Sequence, residues 1–136
     1  MSIEQTLSII KPDAVKAGNA GSINKIIQDS GLKILKTKEI LLSNEEVSKF
    51  YSIHSDKPFF NELCIFMTSG PIIVQILEGE NAVDLYRKIM GATNPSDAEE
   101  NTIRKEFATS IQENAVHGSD SKDNAIKELN FFFKDI

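Results

Sequence analysis

Four short apolar runs alternate with segments of helical periodicity along this chain, and that alternation limits the fold more than any other feature. Residues 6–10 read as a strand closed by Lys11-Pro12-Asp13. Ile23, Ile26 and Ile27 have helical spacing, and Ser30-Gly31 ends that helix. Residues 32–42 read as a second strand. Ser43 and Glu46 form a capping box, after which Val47, Phe50, Tyr51 and His54 fall at i, i+3, i+4 and i+7. Pro58-Phe59-Phe60 breaks the chain, and a short apolar helix runs to about Thr68. Residues 71–77 are a third strand. Val83, Tyr86, Arg87 and Met90 mark a helix that stops at Gly91. Residues 92–101 read as a polar loop, residues 103–107 as a helical turn, residues 115–117 as a fourth strand, and residues 120–133 as a final helix with Ala125, Leu129, Phe132 and Phe133 on its apolar face. The order β-α-β, helical insert, β-α, loop, β-α predicts an α+β domain. It suits a ferredoxin-like split βαβ with a four-stranded antiparallel sheet and helices on one face. No repeat or linker divides the chain, so residues 1–136 read as a single domain, long enough to bury a core.

Charge and cysteine usage narrow the function. A net charge of −5 argues against a protein whose main work is gripping nucleic-acid backbone, although a local basic pocket remains open. One cysteine, Cys64, allows no intrachain disulfide, and two distant histidines make no zinc pattern. The first residues lack a basic region followed by a long apolar run, and no window approaches a membrane span, which points to the cytoplasm. Of 15 lysines and arginines only Arg87 and Arg104 are arginine. Arginine's fork binds phosphate oxygens bidentately and lysine cannot copy it.

The densest chemistry lies in Asn114-Ala115-Val116-His117-Gly118-Ser119-Asp120. A histidine sits where an apolar strand gives way to a helix, followed by a glycine that admits backbone conformations a Cβ forbids. Ser119, Asp120 and Ser121 are helix-start residues. Histidine can be a neutral nucleophile near pH 7. Taken alone, it reads rather as a satisfied surface histidine at a turn.

Several segments together resemble one family. Lys11-Pro12-Asp13-Ala14, Tyr51-x-x-His54, Pro58-Phe59-Phe60, Gly91-Ala92-Thr93-Asn94-Pro95, Thr102-Ile103-Arg104 and Asn114-x-x-His117-Gly118-Ser119-Asp120 resemble nucleoside diphosphate kinases in order and spacing, over essentially the whole chain. The resemblance implies transfer of the γ-phosphate of ATP to nucleoside diphosphates by a ping-pong route through a phosphohistidine. It also implies Mg²⁺ and a dimer-based tetramer or hexamer. His117 would be the nucleophile, which takes phosphate and gives it back. Its ring must be neutral, with a hydrogen bond at one nitrogen selecting the tautomer. The resemblance gives that orienting role to Glu128, with Ser119 beside it; by itself Glu128 reads as a solvated helix acid.

The chain has no G-x-x-x-x-G-K-[ST] loop and no G-x-G-x-x-G, so discrete cations must replace a backbone cradle. Lys11, Arg87 and Arg104 would neutralise the phosphates. Thr93 would add a hydroxyl, or else is a turn residue; His54 resembles a further phosphate contact, or else ends its helix. Asp120 is alternatively only a helix cap. Tyr51 resembles the family tyrosine near the catalytic histidine. Phe59 resembles the ring on which the base stacks, with Leu63 and Ile111 as apolar walls and Phe60 as core. Stacking tolerates any base. Lys11 and Asn114 resemble the residues that bond the sugar hydroxyls. No acidic metal cage is visible, so Mg²⁺ would arrive on the nucleotide phosphates. Two other readings stand beside the enzyme. A nucleic-acid-binding ferredoxin-like module should show an aromatic RNP1 pattern, which is missing. An inactive relative should lack a catalytic residue, and none is missing.

Overall fold

The computed structural model describes residues 3–52, 56–111 and 113–133. In chain order it comprises β1 (Ile3–Ile10), α1 (Pro12–Lys16), α2 (Ala20–Asp29), β2 (Lys33–Ile40), α3 (Asn44–Phe50), α4 (Phe60–Met67), β3 (Ile72–Glu80), α5 (Ala82–Met90), a 3-10 turn (Pro95–Asp97), α6 (Ile103–Phe107), β4 (Val116–Gly118) and α7 (Lys122–Phe132). Among the described residues the strands form one four-stranded sheet in the order β2-β3-β1-β4, and every neighbouring pair is antiparallel. This is the split βαβ, ferredoxin-like arrangement.

Helices cover both faces of the sheet, not one. From Thr6 to Ile10 every residue of β1 is buried, whichever way its side chain points. Leu7 and Ile9 pack with Val47, Met67, Val74 and Leu129 under α3, α4 and α7. Ile10 packs with Ile23, Ile27, Leu77 and Tyr86 under α2 and α5. Burying a large side chain contributes about 1.5–3 kcal/mol. Five such residues on the second face are therefore comparable with the whole net stability of a typical domain. A one-sided sheet would leave them wet.

On that second face Ser8, Gln75 and Tyr86 are paired, while the buried Thr6 Oγ1 has no hydrogen-bond partner among the described residues. Ser8 Oγ and Tyr86 Oη lie 2.7 Å apart, and Ser8 Oγ donates to Gln75 Oε1 at 3.2 Å. Gln75 Nε2 in turn donates to Asn24 Oδ1 at 2.8 Å. These bonds remove the penalty of burying unsatisfied hydroxyl and amide groups.

Element boundaries differ from the apolar pattern where pairing or packing decides them. β1 starts at Ile3 and β3 runs on to Glu80 because these polar extensions pair with each other, Ile3 opposite Glu80. The Lys11-Pro12-Asp13 segment opens α1 rather than only closing a strand, with proline at the first helical position and Asp13 in the first turn. The Ser43–Glu46 capping box is present in both directions. α3 nevertheless ends at Phe50, and Tyr51 takes the cap geometry with its ring buried. His54 lies outside the described residues. β4 begins at Val116, because Ala115 has a φ of 73° and cannot continue an extended strand. α7 is capped by Ser121, whose hydroxyl accepts from Asn124 N–H; Asp120 instead accepts from the Asn124 side chain. Among the described residues no helix is long and apolar enough to cross a membrane.

Candidate active site

β4 lies against β1 with His117 opposite Ile9, so the histidine points to the face covered by α3 and α7. There Nε2 of His117 lies 2.9 Å from Oε1 of Glu128, in the second half of α7. The same carboxylate oxygen accepts from Ser119 Oγ at 2.8 Å. A carboxylate only accepts, so Nε2 carries the proton and a neutral ring keeps its lone pair on Nδ1. Phe50 meets the imidazole edge-on with ring centroids 5.6 Å apart, and Tyr51 does so at 6.4 Å. The ring is thus held by a hydrogen bond on one side and by aromatic walls on others. Burial and the nearby Glu128 charge push the Tyr51 hydroxyl above its ordinary value, so it stays protonated.

Gly118, the next residue, is required by close approach rather than by an unusual φ. A Cβ there would lie 2.7 Å from both the Tyr86 ring and the Met90 methyl. The expectation that this glycine supplies a backbone conformation forbidden to other residues is therefore corrected. The left-handed residue of the segment is Ala115.

His117 lines a cavity of ≈ 720 Å³ together with Lys11, Tyr51, Phe59, Leu63, Arg87, Met90, Gly91, Ala92, Thr93, Arg104, Ile111, Asn114 and Gly118. That size suits a nucleotide-sized ligand. The lining has no carboxylate although the chain carries a net charge of −5, so the cavity is a local cationic field in an acidic protein. Phe59 and Ile111 are large apolar residues left exposed at this cavity, the kind of surface that marks a binding groove.

The cations are positioned differently. Lys11 is buried and its Nζ donates to Asn114 Oδ1 at 2.8 Å; Asn114 Nδ2 donates onward to the Thr93 carbonyl at 3.2 Å. Burial, and after it the Arg104 charge, hold Lys11 down to about 8, while Asp13 pulls the other way. Arg87 is exposed on α5. Arg104 is buried, and burial holds its guanidinium below its ordinary value.

Two of the five N–H donors of Arg104 go to backbone, to the Gly91 carbonyl at 3.1 Å and the Val116 carbonyl at 2.9 Å. Its buried Nε has no hydrogen-bond partner among the described residues. Arg104 is therefore also a staple between the Gly91 turn and the histidine strand. Gly91 itself has a φ of 87°, and a Cβ there would lie 2.5 Å from Thr102 Oγ1.

Of the residues singled out by sequence, Lys11, Tyr51, Phe59, Leu63, Arg87, Thr93, Arg104, Ile111, Asn114 and His117 all line this one cavity. Glu128 stands behind His117, on a smaller adjoining cavity of ≈ 350 Å³. Phe60 packs against the core, as expected. Sequence reasoning missed Met90, Ala92 and the carbonyl of Gly91. The signal available for the last was a glycine directly after a helix.

Known proteins are similar to this chain over nearly its whole length. A family model described as nucleoside diphosphate kinase matches residues 4–136. A nucleoside diphosphate kinase of Wolbachia sp. subsp. Drosophila simulans (strain wRi) is 60% identical over 133 residues, covering 98% of this chain and 96% of that protein. One from Bartonella tribocorum is 53% identical over 136 residues, covering 100% of this chain and 97% of that protein. Among solved structures, the Aquifex aeolicus nucleoside diphosphate kinase superposes with a TM-score of 0.93 at 40% identity, covering 97% of this chain and 96% of that one. A halophilic nucleoside diphosphate kinase from Halobacterium salinarum, in complex with CDP, gives 0.94 at 37% identity, covering 98% and 90%.

Proposed function

Since this chain belongs to the nucleoside diphosphate kinase family, we propose that His117 is its phosphate carrier and that the cavity around it seats donor and acceptor nucleotides in turn. The activity itself is that of the family: the γ-phosphoryl group of ATP or another nucleoside triphosphate passes to a nucleoside diphosphate. The observation that carries the proposal is the 2.9 Å contact between Nε2 and Glu128, which leaves Nδ1 of a cavity-lining histidine as the nucleophile.

In the first half-reaction the Nδ1 lone pair attacks the γ-phosphorus. A P–N bond forms, the bond to the β-phosphate oxygen breaks, and the nucleoside diphosphate leaves with that electron pair. In the second, a terminal phosphate oxygen of the acceptor diphosphate attacks the phosphorus and the P–N bond breaks. Glu128 and Ser119 hold the ring. Lys11, Arg87, Arg104 and Thr93 offset charge on the phosphoryl oxygens, with His54 as a further phosphate contact. Tyr51 packs beside the carrier. Phe59 stacks the base between Leu63 and Ile111. Lys11 and Asn114 bond the sugar hydroxyls, which their mutual hydrogen bond favours by bringing both to one point.

A base held by stacking is read weakly, so all common bases serve; the bound CDP of the Halobacterium relative is in keeping with that. Among the described residues no three His, Cys, Asp or Glu side chains converge as metal ligands, and the phosphate-facing groups are cations. Mg²⁺ would enter as part of the nucleotide substrate, where it would neutralise phosphate charge. One domain, residues 1–136, carries the whole reaction. A cytoplasmic setting suits a chain whose single cysteine is buried and unpaired with another. A homo-oligomer, a dimer-based tetramer or hexamer, would cover the open edge of β2 with its exposed Leu35 and the exposed Leu41 beyond it.

The test is to mix the protein with γ-labelled ATP. Acid-labile phosphate should appear on the wild-type chain and not on His117→Ala, and steady-state kinetics should give parallel double-reciprocal lines. Intersecting lines with no labelled chain would refute the carrier.

A further inference from the structure

Asn81, Asn101 and Ala115 are the non-glycine residues with positive φ among those described. Asparagine visits that region readily and alanine does not. Ala115 is fully buried and stands two residues before His117. Val116 N–H donates to the Asn114 carbonyl at 2.8 Å, which makes Ala115, with its φ of 73°, the centre of a γ-turn in the rare, strained form. Such a conformation persists only where its surroundings over-determine it.

The surroundings are the turn that opens α1. Lys11 N–H donates to the Ala115 carbonyl at 2.8 Å, and Ala115 N–H donates to Asp13 Oδ2 at 3.1 Å. Both polar backbone groups of the alanine are thus held by one distant turn. Relaxation of Ala115 to negative φ would break the γ-turn, move Asn114 away from Lys11 Nζ, and shift the start of the strand that sets His117 opposite Ile9. The Asp13 side chain is not part of the cavity lining and takes no part in the transfer derived above.

We propose that Asp13 is a positioning residue: by holding Ala115 in its left-handed turn it fixes where His117 presents Nδ1 to the phosphate. The inference rests on His117 being the carrier. The competing account is purely electrostatic, with the Asp13 charge acting on Lys11.

Single-turnover phosphorylation at saturating ATP, read as acid-labile phosphate on the chain, separates these accounts when ADP affinity is measured by calorimetry on the same proteins. Asp13→Ala should phosphorylate at least ~10-fold more slowly, since a small misplacement of a reacting group can cost that much. Its ADP Kd should rise by less than the rate falls, because the Lys11–Asn114 pair supplies only part of ADP binding, whereas a misplaced His117 acts on the transition state. Asp13→Asn keeps an acceptor oxygen without the charge and should stay within ~3-fold of the wild-type rate. Adding Ala115→Gly to Asp13→Ala should recover most of the loss, because glycine adopts positive φ without a clamp.

A wild-type rate in Asp13→Ala, an equal loss in Asp13→Asn, or no recovery with glycine each overturns the proposal. Should Asp13→Ala fail to fold, Asp13→Asn alone decides between geometry and charge. Failure of the carrier reading looks different: the wild type would take up no acid-labile phosphate, or His117→Ala would still take it up.

Discussion

Lys11, Asn114 and Arg104 on the cationic wall of the cavity are each under a tenth exposed and tied by hydrogen bonds of 2.8–3.2 Å, whereas Phe59 and Ile111 on the apolar wall stand 47% and 59% exposed. The first wall is over-determined. Lys11 bonds Asn114, Asn114 bonds Thr93, and Arg104 bridges two carbonyls from different elements. The second wall consists of side chains at a helix start and a loop. The difference fits what each wall would place under the proposed roles. A phosphorus atom must come within bonding reach of one nitrogen, and small errors there cost rate steeply. A base need only lie against an aromatic face, and bases differ in size.

The largest expected effect breaks the first wall at its centre. His117→Ala should lose at least ~10³-fold in turnover, since removing a nucleophile leaves only binding and charge stabilisation. It should still bind ADP, because the cations and Phe59 remain. Calorimetry against steady-state rates checks this, and an active alanine variant would remove His117 from the mechanism.

Next come the two arginines, which sharpen the contrast within the cationic set. Arg104→Lys should lower kcat/KM by at least ~10-fold, or ~1.4 kcal/mol at the transition state. It should also cost stability of about 1–3 kcal/mol, because lysine cannot bridge the Gly91 and Val116 carbonyls with the same geometry. Arg87→Lys should lose activity similarly while changing stability by less than about 0.5 kcal/mol, as its side chain is exposed. Urea denaturation beside kinetics reads both. Equal stability losses in the two variants would erase the distinction between staple and free fork.

Breaking the apolar wall should do less. Phe59→Ala should weaken binding of ADP, GDP, CDP and UDP by about 1 kcal/mol, the low end for a stacked base given its exposure, with purines losing most. A wild-type protein that rejects pyrimidines would mean that the wall reads base edges after all.

The smallest effect is a proton count. With Lys11 held down to about 8, the free protein at pH 8 carries roughly half a proton there. A bound phosphate favours the charged ammonium and raises that value, so ADP binding at pH 8 should take up about half a proton, falling towards zero by pH 6 where Lys11 is already charged. Calorimetry in buffers of different ionisation enthalpy measures the uptake. Heats independent of buffer at pH 8 would show that Lys11 is fully charged before the ligand arrives.

Gly118 and Ala115 show how far the chain alone can be read. Both sit in the motif that marks the site, and a sequence reading assigns the special backbone to the glycine. In the fold the glycine is extended and excluded from bearing a side chain by Tyr86 and Met90, residues from another element. The special backbone falls on an alanine, because Lys11 and Asp13 grip it. Helices on both faces of the sheet are a second instance. The run Thr6, Leu7, Ser8, Ile9, Ile10 looks partly polar, yet its second face is buried under α2 and α5, where Ser8 pairs with Tyr86 and Gln75.

Local order determined much about this protein. Periodicity set the alternation of strands and helices, the capping box set the start of α3, and a line of short motifs pointed to Lys11, Arg104, Asn114 and His117, because residue type and spacing carry chemistry within a few positions of the chain. Tertiary structure alone decided that Glu128 reaches Nε2 across a strand-to-helix connection, that Arg104 divides itself between backbone and cavity, and that Asp13 holds Ala115. Each of these depends on partners brought together by sheet pairing, and a hydrogen bond between distant residues leaves no periodic trace in the sequence that makes it.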